Sequence, residues 1–302
     1  MAPDLAHVGM VTDAVWRDVD GDGRQDLIVV GEWMPVTMFR NMGRGRLSRV
    51  PVPGLEHSAG WWNRIVAGDF TGDGRVDFVV GNAGLNSRCH ASATEPVTMY
   101  VKDFDRNGFA EQIVSCYNQG VSYPLVMRDD LLRTLPFLKP RYLNYKNYAR
   151  QTVTDMFPKA DLADAIFKSA ETFATSLVRN DGNGKFTLVP FAREAQLAPV
   201  YGILPQDVDG DGKTDLLMAG NLDEVRLDIG AMHASYGLLL RGDGRGTFSP
   251  SHAKESGFRV PGQARDIQRV RTRDGSLYVV TRNNDRPLVF RETRPGSQIA
   301  RQ

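Results

Sequence analysis

Cysteine is nearly absent from the 302-residue chain: Cys89 and Cys116 are the only two, too few for a disulfide framework. The sequence leaves their pairing open, and two small buried thiols are the plainer expectation. Long apolar runs are missing as well. Nothing approaches the roughly 18 residues that a membrane-crossing helix needs, and no basic segment followed by an apolar stretch opens the chain. Net charge is equally scarce, with 37 Lys and Arg against 36 Asp and Glu, so the electrostatic footprint of a nucleic-acid or anionic-membrane binder is lacking. The histidines, His7, His57, His90, His233 and His252, are too dispersed for a metal spacing, and neither a nucleophile elbow nor a phosphate loop is found. What remains is an ordinary globular composition, 41% hydrophobic and 24% charged, with enough apolar surface for a core. Intrinsic disorder is not expected.

The acidic residues, unlike the basic ones, are clustered. One loop is written four times: DVDGDGRQD at Asp18, DFTGDGRVD at Asp69, DFDRNGFAE at Asp103 and DVDGDGKTD at Asp207. Three copies run into apolar, strand-forming segments, DLIVVG, DFVVGN and DLLMAGN; the Asp103 copy runs into QIVSCY. A second element recurs, a strand ending in a glycine hairpin: VTMFRNMGRGRLSRV from Val36, SLVRNDGNGKFTLVP from Ser176 and GLLLRGDGRGTFSP from Gly237. Strand, acidic loop, strand, strand, glycine turn, strand is how a blade of four antiparallel strands is written. The expected fold is therefore all-β, a β-propeller of about five recognisable blades in a single domain over 1–302. The interval between the first two loops fits a blade. The next is short, which predicts a second unit lacking its glycine hairpin, and the last is long, which predicts an insertion. Residues 125 to about 165 lose strand alternation and carry Pro136, Pro140 and Pro158, and they read as a short helical excursion. The segment from Ala264 reads as a last blade without its acidic loop.

In the pattern D-x-D-x-D-G-x-x-D, carboxylates fall at positions 1, 3, 5 and 9, a backbone carbonyl serves at position 7, and glycine at 6 permits a sharp turn. Hard oxygen donors converging on one point suit Ca²⁺, which takes 6 to 8 of them, better than Mg²⁺, which keeps its water. The candidate ligands are Asp18, Asp20, Asp22, Asp26 and the Arg24 carbonyl; Asp69, Thr71, Asp73, Asp77 and the Arg75 carbonyl; Asp103, Asp105, Asn107, Glu111 and the Phe109 carbonyl; and Asp207, Asp209, Asp211, Asp215 and the Lys213 carbonyl. Thr71 removes one charge from the second loop and predicts weaker binding there; Glu111 makes the third geometry less regular. An EF-hand is excluded, because position 12 is Val29, Val80, Val114 or Met218 where a Glu is required, and strands follow where helices should. Three or four structural calcium ions are expected, each offsetting the mutual repulsion of its carboxylates.

These loops and RNDGNGKF-type turns resemble FG-GAP/VCBS repeats, the units of integrin α-subunit propellers and of large secreted bacterial proteins. The stretches GEWMPV, GWWN, GNAGLNS, AQLAPVYG and GNLDEVR look like the C-terminal region of bacterial VCBS-repeat proteins. The resemblance covers nearly the whole chain. It implies structural calcium, an extracellular, periplasmic or cell-surface location, a ring that can have seven blades with others contributed upstream by a longer parent, and a role in adhesion or recognition. The implied function is a non-catalytic binding or scaffolding module for a protein or glycan, with no nucleic acid and no membrane insertion. A calcium-dependent polysaccharide lyase or hydrolase on a propeller is the enzyme alternative, on fold analogy alone. Trp16, Trp33, Trp61 and Trp62 read as packing residues, with a carbohydrate-stacking platform as the rival reading. The basic, aromatic stretch KPRYLNYKNYAR from Lys139 reads as a solvated amphipathic helix.

Overall fold

A strand covered on both faces is apolar along its length, whereas a half-exposed one alternates. The runs that follow the Asp18, Asp69 and Asp207 loops are of the first kind, and in the computed structural model each is the second strand of an antiparallel sheet, buried almost throughout. The structure describes residues 3–225, 230–273, 275–294 and 298–301. Two residues named in the sequence reading, Arg226 at the end of GNLDEVR and Asp274 in the last repeat, lie outside them.

In chain order, β1 (Met10–Arg17), β2 (Asp26–Met34), β3 (Thr37–Asn41) and β4 (Leu47–Val50) form the first sheet, with the short β5 (Gly60–Trp61) paired to β2. The second sheet begins with β6 (Arg64–Gly68) and β7 (Asp77–Gly81). The chain then leaves it. Residues Cys89–Thr172 fold as a compact unit of their own, built on β8 (Val97–Lys102), β9 (Glu111–Asn118), β10 (Val121–Pro124) and β11 (Ile166–Ala170) in the order β10-β9-β8-β11. Short helices, Arg128–Thr134, Tyr145–Tyr148, Val153–Met156 and Lys159–Leu162, lie between β10 and β11. Leu131, Leu135, Leu138, Val153, Met156 and Phe157 pack with Ile113 of β9 in that unit's core. β12 (Ser176–Gly182) and β13 (Lys185–Pro190) return to the second sheet, whose order is β13-β12-β7-β6; Leu177 stands opposite Val79 and Val178 opposite Phe78. The third sheet is β14 (Val200–Gln206), β15 (Asp215–Gly220), β16 (Leu238–Gly242) and β17 (Phe248–Ser251). The fourth is β18 (Ala264–Thr272), β19 (Gly275–Arg282), β20 (Asp285–Arg294) and β21 (Gln298–Arg301).

Within the span read as a single domain, the chain thus forms two compact units, 1–88 with 173–302, and 89–172. The larger unit holds four sheets stacked through three apolar layers. Ile28, Val30 and Trp62 meet Phe78, Val80 and Phe186 between the first and second sheets; Val79 and Leu177 meet Ile203, Leu216 and Leu240 between the second and third; Leu217 and Leu239 meet Ile267, Tyr278 and Val280 between the third and fourth. The first strands of these sheets lie side by side, β1 against β6, β6 against β14 and β14 against β18. Arg64 at the start of β6 reaches both Asp13 on β1, at 3.5 Å, and Asp266 on β18, at 2.9 Å, so the strands converge at their N-terminal ends.

Three expectations change. The second sheet does have a glycine hairpin, the one from Ser176, delayed by an insertion that falls between the second and third strands of one repeat and not between repeats. Cys89 and Cys116 are not free thiols but a disulfide, their Cα atoms 5.8 Å apart. The stretch from Lys139 is not a solvated helix. Only Tyr145–Tyr148 is helical, Tyr142 is buried in the core, and the half-buried Tyr148 hydroxyl donates to the Val126 carbonyl at 2.5 Å. Burial pushes the Tyr148 hydroxyl up to about 12.

Candidate metal centres

All four acidic loops join the first strand of a pair to the second: Asp18 between β1 and β2, Asp69 between β6 and β7, Asp103 between β8 and β9, and Asp207 between β14 and β15. Their backbone turns inward on itself because two residues per loop take a positive φ. Gly21 and Gly23 have φ of 76° and 82°, and Gly210 and Gly212 have 79° and 83°. Position 4 is therefore as constrained as position 6, a requirement the ligand pattern alone does not express. In the third loop the non-glycine Arg106 holds position 4 at 61°.

The first carboxylate in each loop organises the turn. Asp18 accepts from the N–H groups of Gly21 and Gly23, both at 2.8 Å, and Asp207 from those of Gly210 and Gly212 at 2.7 and 3.0 Å. Asp103 accepts from Gly108 at 2.8 Å and Asn107 at 3.0 Å, and these hydrogen bonds hold its carboxyl below the usual range. Position 5 accepts from the N–H two residues on, as Asp22 does from Arg24 and Asp211 from Lys213.

Position 9 behaves differently. Asp26, Asp77 and Asp215 are buried, and each bridges two strands. Asp26 accepts from Val19 and from Asn41 on β3; Asp77 from Phe70 and from Asn180 on β12; Asp215 from Val208 and from Gly242 on β16. Burial raises the pKa of all three, and the backbone N–H bonds oppose that rise. Among the described residues, Glu111 takes only the local bond, from Phe104 N–H at 2.9 Å.

Cationic side chains face the remaining oxygens. Arg40 pairs with Asp20 at 2.9 Å, Arg241 pairs with Asp209, Arg24 with Asp22, Arg75 with Asp73, and Lys213 with Asp211 at 3.0 Å. Among the described residues, carboxylate oxygens gather within 4.8 Å of one another in three groups: Asp18, Asp20 and Asp22; Asp103, Asp105 and Glu111; and Asp207, Asp209 and Asp215. All-oxygen, anionic donor sets of this kind fit a hard divalent cation, and calcium in particular. When bound, the ion would neutralise the clustered carboxylates and tie the loop to its flanking strands. Asp26 and Asp211 stand outside these groups, and Asp69, Asp73 and Asp77 form none. The residues offered for their carbonyls show their side chains: Arg24, Arg75 and Lys213 as loop cations, and Phe109 as the most exposed large apolar residue described, at 77%.

The tryptophans form no exposed platform. Trp62 is fully buried with its indole N–H donating to the Ser58 carbonyl at 2.9 Å, Trp33 and Trp61 stack edge to face and continue onto Phe173, and only Trp16 is open to solvent. No helix among the described residues is long and apolar enough to cross a membrane.

No curated protein matches the sequence. Among solved structures, that of an Agrocybe aegerita lectin, described for specific recognition of non-reducing terminal N-acetylglucosamine, aligns at 15% identity and a TM-score of 0.29. The alignment covers 96% of this chain and 66% of that one, so the chain spans just under two thirds of the lectin's length. A score that low carries no argument. Residues 18–80 match the family model of an FG-GAP-like repeat. That span begins at the first acidic loop, takes in the second and runs into the buried strand that follows it, and over these residues it bears out the FG-GAP/VCBS-like repeat read from the loops.

Proposed function

We propose that this chain is a calcium-stabilised, non-catalytic binding module, in which the four stacked sheets of the larger unit are blades of a β-propeller and exposed loops recognise a protein or glycan outside the cytoplasm. The observation that carries it is the gathering of carboxylates in three loops at equivalent places between two strands. A structural ion in such a place stiffens the end of each repeat without an open coordination position being needed for chemistry. The Cys89–Cys116 disulfide supports an oxidising compartment, where such bonds persist. The FG-GAP-like repeat supports the propeller.

The test is a pair of thermal melts, in excess calcium and in excess EGTA, followed by probing immobilised glycans and matrix proteins with the calcium-loaded chain. A melting temperature raised by several degrees, with binding that EGTA abolishes, is the expected result. Identical melts would remove the calcium from the reading. Depolymerisation of a bound polysaccharide would remove the word non-catalytic.

A further inference from the structure

Two places in the acidic loops contribute a residue to every gathered set, position 1 with Asp18, Asp103 and Asp207, and position 3 with Asp20, Asp105 and Asp209. The second loop has Thr71 at position 3. Its hydroxyl does not stand in for a carboxylate; it donates to Asp77 Oδ2 at 3.1 Å, an oxygen that already accepts the Phe70 N–H at 3.0 Å. The strand residue that neutralises position 3 elsewhere has followed the change. Arg40 and Arg241, each one residue before the N–H that binds position 9, pair with Asp20 and Asp209, whereas their counterpart Arg179 turns to Asp181, at 2.7 Å.

Among the described residues, Gly72 of the second loop also has a close neighbour that the other loop glycines lack. Around Gly21, Gly23, Gly108, Gly210 and Gly212 there is open space; a Cβ built on Gly72 would lie 2.7 Å from the Gly244 carbonyl oxygen, and one built on Gly246 would lie 3.0 Å from the Thr71 methyl. Gly246 N–H donates to the Phe70 carbonyl at 2.9 Å. The glycine turn between β16 and β17 of the third sheet is thus seated on the Asp69 loop, and it fits there because both approaching positions are glycine.

We infer that the Asp69 loop takes no divalent cation, and that the Gly244–Gly246 turn and the Thr71 hydroxyl hold it in place of one. This rests on the calcium reading of the other loops. It carries further the weaker binding that Thr71 predicts for this loop, and it sets the less regular third loop above it; Asp103, Asp105 and Glu111 gather, and Asp69, Asp73 and Asp77 do not.

The experiment counts calcium bound to the full chain, stripped with EGTA and re-equilibrated at fixed free calcium, by elemental analysis and by calorimetric titration. The wild type is compared with Asp18→Asn, Asp69→Asn, Asp103→Asn and Asp207→Asn. Three ions are expected in the wild type. Each of the other three substitutions is expected to remove one, and Asp69→Asn to leave both the count and the calcium-dependent rise in melting temperature unchanged. Should Asp69→Asn fail to fold, Asp73→Asn carries the same expectation. Loss of an ion in either variant overturns the inference alone. No bound calcium in the wild type overturns the reading beneath it.

Discussion

Two carboxylates in the same loop have different work, and their neighbours decide which. Asp207 folds its own turn through Gly210 and Gly212, while Asp215 accepts N–H groups from Val208 and from Gly242, which is 27 residues away in sequence. Removing Asp215 leaves two N–H groups without their acceptors. Asp215→Ala should therefore cost about 2–5 kcal/mol, and Asp215→Asn, which keeps an acceptor oxygen, clearly less; urea unfolding in EGTA isolates the effect from any ion. A sequence displays the ligand spacing of position 9 but not the strand that donates to it, because that partner is 15 residues on for Asp26 and 103 on for Asp77. In the smaller unit, Thr152 and Asp155 cap the Val153–Met156 helix reciprocally, and the Thr152 N–H and hydroxyl hold the Asp155 carboxyl below its usual range. A depressed carboxylate stabilises the fold above its unfolded pKa of about 3.9 and loses that contribution as pH falls through the folded value. Thr152→Ala is expected to cost about 1 kcal/mol near neutrality, with the gap from wild type closing below about pH 4 in a series of melts.

Strand-level features were the most legible, since an acidic loop followed by a continuous apolar run can hardly be anything but a turn entering a buried strand. All four loops sit between strands, and the hairpins read at Val36, Ser176 and Gly237 are present as β3–β4, β12–β13 and β16–β17. What spacing could not reveal was which β7 partner the Ser176 hairpin would find, because pairing depends on Val79 and Phe78 meeting Leu177 and Val178 across an entire intervening unit. The ends of that insertion meet: Gly84 N–H donates to the Phe173 carbonyl at 2.8 Å. Replacing 89–172 by a short Gly/Ser linker should therefore leave the larger unit folded, with its far-ultraviolet strand signal intact and, on the calcium reading, one bound ion fewer. Collapse of that signal would show that the second sheet needs the excised unit.

At the scale of the molecule, two units with separate cores predict two unfolding events. The disulfide spans 27 residues and lies wholly within the smaller unit, where closing such a loop contributes about 3–4 kcal/mol through the unfolded chain. Calorimetry of Cys89→Ser with Cys116→Ser should lower one transition and leave the other in place. The two cysteines say nothing of this in isolation, since their pairing depends on β9 folding back beside the chain that enters the unit. Finally, a sheet whose third strand comes after an inserted unit acquires a timetable. The ribosome makes about 5–20 residues each second, so after β7 has been synthesised the rest of its sheet is roughly 5–20 seconds away. Throughout that wait β7 presents a bare apolar edge to the cell. Ribosome-bound chains arrested after residue 175 should be cut by protease within 64–81, and chains arrested well beyond β13 should resist.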